Sequence, residues 1–148
     1  MIVLFAGNGR YDFPVKRPRV YEDGLAAAFC GSEAAVQRID CLAMLVRHDG
    51  DPYDLGQSIA LAAFRPPTKA VAAGYMSPKD ARRFRKEVDA LGIGPDDSVF
   101  CRATILGGEP LGRFVMPYRM RVDLAWPLRQ MEDWYDVAAP FLNNAVQG

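Results

Sequence analysis

A chain of 148 residues, 50% hydrophobic and 24% charged, is long enough to bury one core and too apolar to remain disordered. Its 18 lysines and arginines balance its 18 aspartates and glutamates, which excludes attraction to nucleic acid by net charge; any such binding needs a local basic patch. Cys30, Cys41 and Cys101 are odd in number and widely spaced in apolar surroundings, so they read as buried free thiols of a reducing cytoplasm.

The opening MIVLFAG is too short to span a membrane and lacks the basic start of a secretory signal. It reads as a strand, followed by the proline-rich basic segment that completes an N-terminal extension, residues 1–26. Next, LAAAFCGSEAAVQRI has no clean period and reads as a strand followed by a short helix. From Cys41 onward the runs CLAMLVR, SIALAAF and AVAAGYM are short, apolar and bounded by turn residues, as strands buried in a barrel or sandwich are.

SPKDARRFRKEVDALG carries the full set of helix signals: Ser77 as N-cap, Pro78 at the first helical position, Asp80 as capping partner and Gly92 as the stop. Ala81, Phe84, Val88 and Leu91 form its apolar face. Lys79, Arg82, Arg83 and Lys86 form a basic stripe opposite, directed to solvent or to an anion. SVFCRATILGG and RFVMPYRMRVDLAW read as two long strands closing a hairpin. In the tail, residues 127–148, the spacing of Leu128, Met131, Trp134 or Tyr135, Ala138 and Phe141 predicts an amphipathic helix that Pro140 breaks or ends.

The usual catalytic sets lack parts. His48 is the only histidine, and there is no serine elbow, no paired Cys-x-x-Cys cluster and no phosphate loop. The two glycines of GNG, Gly7 to Gly9, are a weak nucleotide signal. Asp49, Asp51 and Asp54 could collect a hard cation, but Tyr53 and Asp54 stand where a calcium loop needs an acid and a glycine. Acids capping a turn set by Pro52 explain the same residues. No metal, cofactor or catalytic residue is assigned, and the chain is expected not to be an enzyme.

RHDGDPYDLGQSIAL, then AAGYMSPKDARRFRK, then CRATILGG and FVMPYRMRVDL, in that order, resemble the HIRAN domain across residues 27–126. Its hallmark is an arginine, an acid and Asn-Pro-Tyr-Asp before a strand, then Gly-Tyr and a helix. Pro52, Tyr53, Asp54, Gly74, Tyr75 and Phe114 fall on matching positions, while Asp51 stands where the hallmark has asparagine.

The resemblance implies an α+β, mainly β fold: a small SH3- or OB-like β-barrel of about six strands with one or two packed helices. It implies a module for DNA repair, replication or phage-related DNA processing that grips single-stranded DNA at its free 3′ end, alongside a helicase or nuclease partner chain. Tyr53 would stack on the terminal base, Asp54 would accept a hydrogen bond from the 3′-hydroxyl and Phe114 would form a second aromatic wall. Tyr75 and Lys79 would lie near the strand and its phosphate. GSEAA replaces the family's first-strand Arg-Tyr-Tyr, a role Arg10 and Tyr11 would take if the N-terminal segment folds against the barrel. The alternatives are a protein-interaction module with a degenerate pocket and a metal-dependent nuclease.

Overall fold

The computed structural model describes residues 2–30, 38–48, 58–65, 68–108 and 110–147. The loop that carries Asp49, Asp51, Tyr53 and Asp54 lies outside them.

Six strands form one sheet around β5 (Ser98–Leu106). One edge of β5 pairs antiparallel with β2 (Arg38–His48), which continues to β3 (Ser58–Arg65) and β4 (Thr68–Tyr75). Its other edge is shared. β1 (Ile2–Phe5) takes the first half in parallel, Ile2 opposite Ser98, and β8 (Arg119–Asp123) takes the second half antiparallel, Asp123 opposite Arg102. β5 is therefore central, and its almost continuous apolar run VFCRATI suits a strand buried on both faces.

α2 (Pro78–Ala90) has the expected cap, the Ser77 hydroxyl accepting from the Asp80 N–H at 3.2 Å, and Gly92 follows with φ +75°. Its Ala81, Phe84 and Val88 pack on one sheet face with Val3, Phe5, Ile59, Leu61 and Cys101. Each large apolar side chain buried there stabilises the fold by about 1.5–3 kcal/mol. α3 (Trp134–Gln147) covers part of the other face, where Leu4, Leu42 and Phe100 meet Ala138.

Several sequence expectations are corrected. The predicted strand near residue 27 is helical: α1 (Val20–Leu25) runs into a π-helical turn, Ala26–Cys30. Leu128 and Met131 precede the tail helix. Chain 129–131 is extended because it pairs with β1, the Ala6 N–H donating to the Arg129 carbonyl at 2.8 Å and the Met131 N–H to Leu4 at 2.7 Å. Pro140 lies inside α3 rather than at its end, and Leu91 is exposed. The long strand expected from residue 113 is interrupted by Met116–Pro117–Tyr118, Pro117 having no N–H for a ladder. A small ribbon, β6 (Pro110–Leu111) with β7 (Phe114–Val115), precedes it.

The sheet is mainly β with packed helices, as expected, but it is not closed into a barrel. Among the described residues β8 pairs with β5 alone. The outer edge of β4 instead meets the N-terminal segment, the Lys16 N–H donating to the Tyr75 carbonyl at 2.7 Å and the Tyr75 N–H to the Lys16 carbonyl at 2.9 Å. A Cβ on Gly74 would run into the Lys16 carbonyl and the Val15 side chain, so the glycine is what admits this close approach. β1 also contributes Val3 and Phe5 to the main core, so residues before the predicted boundary at 27 share the sheet and its packing.

Cys41 and Cys101 are free and buried; burial pushes the Cys41 thiol up to about 12 and raises that of Cys101 as well. Both are neutral thiols in the folded protein. In native buffer, peptide-resolved alkylation of these two should therefore await unfolding, and labelling at the rate of a free thiol would contradict their burial. A thiol raised on folding favours the folded state below its unfolded pKa, near 9.0 for Cys41, and that contribution declines as pH climbs from there towards 12.

Candidate nucleic-acid interface

The open side of the sheet, between β4 and β8, is where the N-terminal segment 11–17 runs. Two concavities meet there. The larger, about 470 Å³, is walled by that segment, by Ser77 at the start of α2 and by Met120 and Arg121 of β8. The smaller, about 270 Å³, lies between Tyr21 of α1, Ala73 of β4 and Pro117, Tyr118 and Arg119.

Arg17 lines both. Its pKa is lowered first by desolvation and then by Arg119 and Arg121, with Glu22 acting in the opposite sense. β8 explains the convergence: Met120 and Val122 point into the core, so the alternating Arg119 and Arg121 leave by the other face. The Arg119 guanidinium is held to the Pro117 carbonyl at 3.1 Å.

The segment forming the wall is fixed by a buried charge. Asp123 is 0% exposed; its carboxylate accepts from the Gly9 N–H at 2.9 Å and from the Arg102 guanidinium at 3.1 Å. Gly7 has no room for a Cβ against Asp123. GNG is thus a loop shaped around a carboxylate. After it Tyr11 takes a left-handed backbone, φ +55°, with the Arg38 guanidinium 5.8 Å from its ring centre. Burial raises the Tyr11 pKa, against the lowering effect of Arg102.

The predicted site residues fall in three places. Asp51, Tyr53 and Asp54 lie outside the described residues, but both roots of their loop are tied to α2: Arg47 pairs with Asp89 at 2.9 Å and Arg85 donates to the Ser58 carbonyl at 2.8 Å. Tyr75, 40% exposed, stands at the β4 edge beside the larger concavity, and Lys79 is exposed in the first turn of α2. Arg82 is exposed on the same helix. Arg83 is engaged, its guanidinium 4.5 Å over the Trp126 ring and 2.7 Å from Glu87, so the expected basic stripe is partly a packing device. Phe114 is 76% exposed on the ribbon, opposite Leu111 and next to the Gly112–Arg113 turn.

Sequence reasoning missed Arg17, Arg119 and Arg121. The alternation of YRMRVD was the available signal for two of them. Among the described residues no group of three or more His, Cys, Asp or Glu side chains could hold a metal ion, and no helix is long and apolar enough to cross a membrane. Comparison with protein-family models, curated proteins and solved structures gives no match.

Proposed function

We propose that this chain is a DNA-binding module for single-stranded DNA, reading a free 3′-hydroxyl end with Asp54 and working in the cytoplasm beside a helicase or nuclease chain. The observation that carries the reading is the convergence of Arg17, Arg119 and Arg121 in an open groove walled by tyrosines. Guanidinium groups track phosphates and aromatic faces hold bases without strong sequence preference. Such a local patch can act in a chain with no net charge. Of the site residues suggested by the HIRAN resemblance, Tyr75 pairs with Lys16, which lines the larger concavity, and Lys79 follows Ser77 in the first turn of α2; Tyr53 and Asp54 would supply the end-reading part.

The test is a titration with one oligonucleotide as a single strand ending in hydroxyl, as a single strand ending in 3′-phosphate, and as a blunt duplex. An ionised carboxylate accepts a hydrogen bond from the hydroxyl and repels the phosphate, so the hydroxyl end should bind best. Equal dissociation constants for both single strands would remove end reading. Preference for the duplex would remove the whole proposal. Tyr75→Ala should cost about 1–3 kcal/mol of single-strand binding if the ring stacks on a base. The second reading is a protein-interaction module with a degenerate pocket, which predicts no single-strand binding by the folded chain.

A further inference from the structure

Resting on the single-strand reading, we infer that Arg17, Arg119 and Arg121 form a saddle for one phosphodiester, with a base received in each concavity beside it. The saddle is a matter of position. Arg17 belongs to both concavities, Arg119 to the smaller and Arg121 to the larger, so the positive charge lies where the two meet. Arg17 comes from the N-terminal segment and the other two from β8, across the open side of the sheet. Glu22, which lines the smaller concavity, offsets part of the repulsion among them, and arginine forks suit phosphate oxygens.

A charge saddle alone would take any anion; the flanks narrow the choice. Tyr21 and Tyr118 stand on the smaller side with Pro117, and Tyr11 with Pro14 on the larger. Both concavities are near the lower part of the range for small-ligand clefts, about 300–1,000 Å³. Tyrosine and proline side chains flank the cationic ridge on both sides, together with the acids Asp12 and Glu22, and the tyrosines match the order base, phosphate, base. Inorganic phosphate would use only the centre. The saddle draws Arg17 from residues 11–17, which precede the stretch resembling the HIRAN domain, and none of its three arginines is among the site residues that the resemblance implies.

The experiment measures binding of hexathymidylate and of an abasic hexamer with the same phosphates, at several salt concentrations. Wild type should hold the base-bearing strand at least roughly ten-fold more tightly, since each stacked base contributes. Arg17→Gln and Arg121→Gln, each with unchanged thermal unfolding, should weaken hexathymidylate binding about ten-fold and reduce the salt slope by about 0.7. Tyr21→Ala should narrow the difference between the two strands. Arg129→Gln, outside both concavities, should bind as wild type does. If both arginine variants bind hexathymidylate normally, the saddle is wrong and the strand lies elsewhere on a single-strand binder. Equal affinity for the abasic strand would refute the two base sites. Failure of wild type to bind hexathymidylate would remove both the inference and the function on which it rests.

Discussion

Phe84→Ala should lower the free energy of unfolding by about 3–5 kcal/mol, the range for deleting a buried aromatic ring. Phe84 is 2% exposed and meets Phe5 edge-on, with ring centres 6.1 Å apart and planes at 85°. The substitution therefore loses ring burial, an aromatic pair and the packing of α2 on β1 together. Alanine is the better helix former, but that gain is only about half a kcal/mol. Urea unfolding should show a lower midpoint at an unchanged slope. A loss below about 1 kcal/mol would mean that α2 is not seated as described. Since α2 also holds Arg47 and the Ser58 carbonyl, the proposed reading of the 3′ end should weaken in this variant before the proposed single-strand binding is lost.

That helix was legible because its signals are local. Ser77, Pro78, Asp80 and Gly92 punctuate it, and the buried face repeats within it. β2, β3 and β4 were legible for the same reason, as short apolar runs between turn residues. The parallel pairing of β1 was not: four residues carry no mark of a partner as distant as Ser98. α1 lacks a side-chain cap and contains Gly24, so nothing local favours it over an irregular segment. In the tail, Leu128 and Met131 fit a helical spacing, yet backbone bonds to β1 draw that stretch into an extended chain. The period was real and the competing partner was invisible.

The candidate site divides in the same way. Tyr75 and Lys79 could be nominated from a motif. The arginine saddle could not, because Arg17 reaches Arg119 and Arg121 only when the N-terminal segment lies along the open side of the sheet. Its anchor links Gly9 to Asp123, residues 114 apart in sequence. A glycine pair that resembles a weak nucleotide turn is, in the folded chain, a means of bringing backbone against a buried carboxylate.

Asp123→Ala should consequently damage both stability and binding. Removing one partner of a buried, hydrogen-bonded ion pair costs about 3–5 kcal/mol. Here Arg102 is 37% exposed and can be partly rehydrated, which brings the expected loss to about 2–4 kcal/mol. The Arg102 Nε is already buried without a partner, so the arginine has little left to compensate with inside the fold. Asp123→Asn separates charge from shape: its amide oxygen can still accept from the Gly9 N–H, while the ion pair with Arg102 is lost. It should retain more of the loop and lose less stability than alanine. If the Gly7–Gly9 loop sets the position of Arg17, single-strand affinity should fall in the order wild type, Asn, Ala, even though all three saddle arginines are intact. Denaturant unfolding and hexathymidylate titration on the same three proteins measure both effects. Full single-strand affinity in a destabilised but folded Asp123→Ala protein would show that the carboxylate serves stability alone and that Arg17 is placed by the pairing of its neighbour Lys16 with Tyr75 at the β4 edge.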